Sequence, residues 1–498
     1  MPTTSFKHGI YYTETSIDTT PDIQYGQIPV YIGTAPIHLA TDPAPVNKPI
    51  LISDLTEFKA KFGYVEDFSY TLCEPACYHF KKANIAPIIC INVLDITNNS
   101  MVTASQTTIV KKDGSVFTLT TKGVIKSSVT VKGIENYTDG DEDDENFAPT
   151  SLVASDYILT FDSDGNLIIT PEASGNITSS MNALQVSFSK INLAGVTGTQ
   201  IIGSVNASTG ERTGLQAIDY ILGEIGQPPG MLVAPGFSHI PAVTQAFIAK
   251  SQSVSGIFPA LVIADIDSSA TGSPYYTGVK TWKDDNGYND KDLVVCFPMA
   301  KVGNLTFHMS TIVAATKQAT LSLESAYNTP CESPSNKKTE ITSLVNMADE
   351  NIILDIVMAN YLNAIGVVTA LKMALDFVIW GNRTSIFPES EDPKDCWIST
   401  RSLFHYLVDI IIMTYWAKID ERSTDSNIQN IEDGVNNWLN SLETKEILKT
   451  GSCKFLGITN ASTDNIVKFN ITWSDIKPAE RYEFNYEFDK TVYENLNV

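Results

Sequence analysis

The chain has 498 residues, 43% of them hydrophobic and 18% charged, the composition of a globular protein too long for one ordinary domain, so that roughly three or four are expected. Lys plus Arg number 34 against 57 for Asp plus Glu, and the net charge of −23 repels a phosphate backbone, so nucleic acid is not expected as a partner. The N-terminus Met1-Pro-Thr-Thr-Ser-Phe6 has no basic stretch followed by an apolar one, so no secretory signal is read and folding in a cytoplasm is expected.

Residues 1–29 read as an extended arm, in which Phe6, His8, Ile10 and Tyr12 alternate along at most one short strand. Pro29-Val-Tyr-Ile-Gly33 is a strand closed by glycine, and Lys48-Pro-Ile-Leu-Ile-Ser53 is another. Asp54-Leu-Thr-Glu57 announces a helix, since a capping carboxylate and a glutamate three residues on satisfy two orphan amides; it stops at Gly63. A helix over about 70–83 leads into the apolar run 86–94, a buried strand. Cys73 and Cys77 share a face of that helix, but no second ligand pair accompanies them. Seven scattered cysteines describe no disulfide framework, so buried small hydrophobes is the reading.

From Thr97 to about Ser204 the chain becomes rich in Ser and Thr, with short alternating strands at 116–119, 128–131, 156–161, 166–169 and 184–188. Asp162-Ser-Asp-Gly-Asn166 is a hairpin turn between two of them. The acidic loop 139–145 is not a calcium loop of the EF-hand kind, because Asp144 stands where the sixth position needs glycine.

After Gly210 a helix at 214–225, a strand at 231–234, a helix after Pro241 and strands at 260–265 and 293–297 restore an α/β pattern. The apolar stretch 352–380 is interrupted by Asp355, Asn360, Asn363, Lys372 and Asp376, which a bilayer core would not tolerate cheaply, and reads as a buried helix. A helix follows at 403–416, and Ile428, Ile431, Val435, Trp438 and Leu442 step by three and four along a second, amphipathic one. Alternation marks two closing strands, one carrying Val467, Phe469, Ile471 and Trp473, the other Tyr482, Phe484, Tyr486 and Phe488.

The expected fold class is therefore a multi-domain α/β (α+β) chain. A mostly parallel or mixed sheet core at 30–97 and 205–400 is interrupted by an all-β domain at 98–204 and followed by an α/β domain at 401–478. Extended β-strand arms occupy 1–29 and 479–498.

An α/β core invites an enzyme, and Gly236-Phe-Ser238-His239-Ile240 lies where a hydrolase places its nucleophile elbow. Ile240 stands where the elbow needs glycine for close strand–helix approach, so the match fails. Phosphate-loop, dinucleotide and zinc-peptidase signatures are absent. Asp265 and Asp267 end a strand, a position that suits catalysis or loop capping equally.

Lys48-Pro-Ile-Leu-Ile, Thr213-Gly-Leu-Gln-Ala-Ile218, Pro229-Gly-Met-Leu-Val-Ala-Pro-Gly236, Ser333-Pro-Ser-Asn336 and Val378-Ile-Trp-Gly-Asn-Arg-Thr384 stand in an order that resembles the contractile tail sheath family of phages and phage-tail-like particles. Ile431-Glu-Asp-Gly-Val-Asn-Asn-Trp-Leu439 and Pro478-Ala-Glu-Arg481 extend the likeness, which covers 1–97 and 205–498. The resemblance implies a structural subunit without catalytic residues, metal or cofactor, made in a bacterial cytoplasm and built into a virion or tail-like particle. It implies a homo-oligomeric helical lattice around an inner tail tube protein, capped by baseplate and terminator proteins, without direct membrane insertion. On this reading 401–478 faces the tube through Glu432, Asp433 and Glu443. The arm strands at Ile10, Tyr11, Tyr12 and Thr13 and at Tyr482, Phe484, Tyr486 and Phe488 join neighbouring subunits by strand addition. The competing expectation is a soluble hydrolase-like α/β enzyme with a β-sandwich accessory domain; a surface adhesin is disfavoured by the missing signal.

Overall fold

Continuous apolar runs become the parallel strands of the largest sheet in a computed structural model that describes residues 27–143, 147–162, 164–459 and 465–491. The expected strand at Ile10, Tyr11, Tyr12 and Thr13 lies outside the described residues. The chain begins with β1 (Pro29–Gly33), β2 (Pro49–Ile52) and α1 (Leu55–Phe62), then passes through α2 (Cys73–Cys77), continued by a π turn, into β3 (Ile88–Asn92). The N-terminus of α1 is built as its sequence predicts. The Asp54 carboxylate accepts the Glu57 N–H at 2.8 Å, and the Glu57 carboxylate accepts the Ser53 N–H at 2.8 Å.

The next strands are β4 (Gln106–Asp113), β5 (Val116–Leu119), β6 (Thr130–Glu135), β7 (Thr150–Ser151), β8 (Tyr157–Phe161), β9 (Leu167–Pro171) and β10 (Met181–Phe188). They form one antiparallel sheet in the order β7-β6-β10-β4-β5-β9-β8, with its own core around Phe117, Ile169, Leu184 and Phe188. The turn between β8 and β9 closes through the Asp162 N–H on the Asn166 carbonyl, with Gly165 at φ 76°.

The chain continues through α3 (Gly198–Ile202), a 3₁₀ turn at Gly214–Tyr220 running into α4 (Ile221–Ile225), β11 (Met231–Val233), α5 (Pro241–Ser251), β12 (Leu261–Asp265), α6 (Val279–Asp285) and β13 (Leu293–Cys296). Strands β14 (Met299–Val302), β15 (Leu305–Phe307), β16 (Ser343–Val345) and β17 (Asn351–Ile352) form a small antiparallel sheet, with α7 (Met309–Ala319) between β15 and β16. Then come α8 (Ile356–Ala364), β18 (Val367–Met373), β19 (Asp376–Trp380) and α9 (Ile398–Tyr415). The main sheet has the order β19-β18-β13-β12-β11-β1-β3-β2, parallel throughout except for the antiparallel edge strands β2 and β19.

The stretch 352–380 is not one buried helix. It is the short helix α8 followed by the β18–β19 hairpin. Gly366 makes the break: it sits at φ +69°, and a Cβ there would lie 2.6 Å from the carbonyl oxygens of Thr384 and Phe387. The β-branched run Val367-Val368-Thr369 then favours strand over helix.

The chain divides into two compact units at Asp420 and Glu421, so α9 belongs to the larger unit rather than to a domain beginning at 401. The smaller unit holds α10 (Asp425–Thr444) and the hairpin β20 (Leu448–Thr459) and β21 (Ile466–Asp475). Among the described residues no helix is long and apolar enough to cross a membrane.

Candidate functional site

Strand order reverses about β1, so the crevice of an α/β enzyme would open beyond the carboxyl ends of β1 and β11. Side chains occupy that position here. Thr34, just after β1, and Thr71 bond through reciprocal amide-to-hydroxyl contacts of 3.1 Å, and a Cβ on Gly33 would lie 2.2 Å from the Thr71 hydroxyl. Glu74 is buried beside them. It accepts the backbone N–H of His308 at 2.8 Å and the Thr311 hydroxyl at 2.8 Å, and its other oxygen lies 2.6 Å from His308 Nδ1. Burial pulls the His308 pKa down, but the carboxylates of Glu74 and then Asp265 more than reverse this, raising it from 6.5 to about 9.

Ser238 is buried within the same layer. Its hydroxyl donates to the Asp265 carboxylate at 3.0 Å and accepts the Asp265 N–H at 3.0 Å, while Asp265 also accepts the Ser310 N–H at 2.8 Å. Burial raises the Asp265 carboxyl and lowers His239, and the Ser238 hydroxyl is buried and turned to Asp265 rather than to solvent. Asp267 caps its own loop by accepting the Ser269 N–H at 2.9 Å. Among the described residues no group of three or more His, Cys, Asp or Glu could hold a metal, and six of the seven cysteines are buried.

The smaller unit is built around α10. Its Ile428, Val435, Trp438, Leu439 and Leu442 are buried, and Asn436 ties it to β20 by donating to the Cys453 carbonyl at 2.9 Å and accepting the Cys453 N–H at 2.8 Å. The three carboxylates expected to face a partner differ in situation. Asp433 is exposed and accepts from Gln429 at 2.9 Å; Glu432 is half-buried; Glu443 is half-buried and accepts the Gly451 N–H of β20. Glu443 thus pins the hairpin to the helix, a role its place in the sequence does not reveal.

Among the described residues β20 and β21 form a two-stranded sheet. The segment with Tyr482, Phe484, Tyr486 and Phe488 is not a third strand of it; 481–490 has no regular secondary structure. Its four rings are 78%, 76%, 91% and 70% exposed. An aromatic tail and this two-stranded sheet thus belong to one unit. Sequence reasoning missed β20.

The chain is similar to a prophage major tail sheath protein of Pseudomonas aeruginosa, at 26% identity over 316 residues covering 60% of this chain and 75% of that protein. Its fold matches a chain of the anti-feeding prophage baseplate in the contracted state, with a TM-score of 0.52 and 11% identity over 98% of this chain and all of the other. It also matches the helical sheath of the anti-feeding prophage in the contracted state, with a TM-score of 0.51 and 12% identity over 97% and 99% of the two chains. At these identities the structural likeness is one of fold. No protein-family model matches the chain.

Proposed function

We infer that this chain is the sheath subunit of a contractile tail, polymerising helically around an inner tube and shortening to drive that tube through a target cell envelope. The sequence relationship to a prophage major tail sheath protein carries this reading. The fold shared with contracted-state sheath and baseplate chains along nearly the whole length supports it.

The work of such a subunit is assembly and rearrangement. A helical tube needs heterologous contacts that do not close, and these must survive a change of lattice. Strand exchange meets both needs. The tail at Tyr482, Phe484, Tyr486 and Phe488 lies beside a neighbour's sheet, together with the arm at Ile10, Tyr11, Tyr12 and Thr13 of another neighbour. Backbone pairing supplies affinity, and the aromatic face fixes register, because a slip by one residue would expose every ring. Segments such as Ser474-Asp-Ile-Lys-Pro478 act as hinges while the rigid bodies rotate. The extended lattice is metastable, with the contracted one burying more surface. The unit containing α10 faces the inner tube protein, 98–204 projects outward, and baseplate and terminator proteins close the two ends.

Electron microscopy of the purified chain tests the reading. Tubes or rings are expected. A dispersed monomer with hydrolase turnover would overturn it in favour of an enzyme.

A further inference from the structure

Strand β19 is one of the two edge strands of the main sheet, and an uncovered edge strand offers its backbone groups to any extended chain. Here the edge is covered from within the same chain. Residues 335–339 run along it, bridging Lys338 antiparallel to Val378 without forming a regular strand of their own. The Ile379 N–H donates to the Lys337 carbonyl at 3.0 Å, and the Ile379 carbonyl accepts the Asn336 N–H at 2.7 Å. The Phe377 carbonyl accepts both the N–H and the hydroxyl of Thr339 at 3.0 Å, and the Gly381 N–H donates to the Ser335 hydroxyl at 3.0 Å. The alternate residues 377, 379 and 381 of the edge thus all find partners on this strap. Two motifs distant in sequence, Ser333-Pro-Ser-Asn336 and Val378-Ile-Trp-Gly-Asn-Arg-Thr384, meet in the contact.

The strap is lightly held. Asn336 and Lys338 are exposed, and Asn336 turns the chain onto the edge at φ 58°, a left-handed conformation that asparagine tolerates. Residues 337–340 border a cavity of about 240 Å³, lined also by Tyr78, Ile85, Ala319 and Leu323, so close packing does not fix them from that side. Upstream, the chain leading to the strap is gripped by Lys317 of α7. Its buried amine donates to the carbonyls of Pro330 and Glu332, each at 2.7 Å, and an amine withdrawn from water needs such acceptors.

We propose that residues 335–339 are a displaceable guard that keeps the aromatic tail of a second copy off the main sheet, and that β19 accepts a strand once the guard is lifted. The proposal rests on the reading of the tail as an exchanging strand. Strand addition draws its affinity from backbone pairing, so an open β19 would compete for tails and trap misassembled subunits. A strap from the same chain prevents this by being present at high effective concentration, even though few bonds hold it.

The test uses the full-length chain below its polymerisation concentration. Asn336→Pro removes the N–H given to Ile379 and forbids φ 58°, at an exposed position that leaves the core untouched. Amide hydrogen exchange at Ile379 and Gly381 should quicken roughly tenfold or more. A labelled peptide of residues 479–491 should bind this variant roughly tenfold more tightly than the wild type and slow those amides again, as should a peptide of residues 333–341. Binding of the strap peptide without the tail peptide overturns the proposal and leaves the tail reading standing, and so does unchanged exchange at both amides. Should Asn336→Pro not fold, Ser335→Ala decides: it is expected to free the Gly381 amide, and wild-type exchange there overturns the guard. A tail peptide that fails to inhibit polymerisation of the wild-type chain overturns the tail reading, and this proposal with it.

Discussion

Deleting residues 479–498 should leave a folded, soluble subunit that cannot form tubes, and the structure supplies the magnitude. The four tail rings are 70–91% exposed in the isolated chain, so the subunit gains little from them and its melting temperature should not move. A buried aromatic side chain covers about 150–250 Å². At about 25 cal/mol per Å², burying what is now exposed is worth roughly 4 kcal/mol per ring, about 16 kcal/mol for the row. Ordering the backbone of 481–489 costs about 1–2 kcal/mol per residue, roughly 9–18 kcal/mol in all. The rings therefore offset the ordering cost, and backbone pairing of the tail with a neighbour's sheet decides the net affinity. In that balance a single Phe484→Ala change removes roughly 2–4 kcal/mol, which raises the critical concentration for polymerisation about 30- to 1,000-fold. Light scattering against protein concentration reads it directly. A truncated chain that still polymerises, one that unfolds outright, or a Phe484→Ala curve that overlays the wild type would each refute strand exchange through this tail.

Replacing 98–204 by a short Gly/Ser linker should leave tubes intact under electron microscopy, because the flanking strands β3 and β11 are both held by β1; a folded subunit without tubes would count against an outward, dispensable domain. Reversing the charge of Asp433 should change co-assembly with the tube protein in a salt-dependent way, whereas Glu443→Lys should also loosen β20 from α10 and lower the melting temperature; unchanged co-assembly at all ionic strengths would sink the tube-facing assignment. The His308–Glu74 pair makes a pH prediction. With the folded pKa raised to about 9, its stabilisation is fully present below pH 6.5 and is lost as pH rises through 9, a change on the order of 3 kcal/mol. The buried amine of Lys317, lowered to about 7 by burial, titrates in the opposite sense, so the measurement is the difference between wild type and Glu74→Gln in urea unfolding at pH 6 and pH 9. A difference that does not shrink toward pH 9 would contradict the pairing.

The parallel core was legible because strands buried on both faces must be apolar throughout, as in 86–94 and 260–265, and because caps such as Asp54 and Gly63 mark their helix ends by local chemistry alone. The stretch 352–380 misled because a buried helix and a buried hairpin share one composition; the deciding feature, the close approach of Gly366 to Thr384 and Phe387, involves residues distant in sequence. Strand β20 escaped notice because Lys449-Thr-Gly-Ser-Cys-Lys454 has no apolar alternation, a consequence of lying in a two-stranded sheet with little to bury. The candidate surfaces divide the same way. The aromatic row shows plainly as a period of two, whereas the engagement of Glu443 with Gly451 depends on packing that only the folded chain displays.

The most direct test of the central claim is a helical reconstruction of the polymer by electron cryomicroscopy. The account predicts a hollow tube in which residues 482–488 of one subunit lie as a strand against β20 or β21 of another. Closed oligomers, or a tube whose subunits keep 482–488 unpaired, would contradict it.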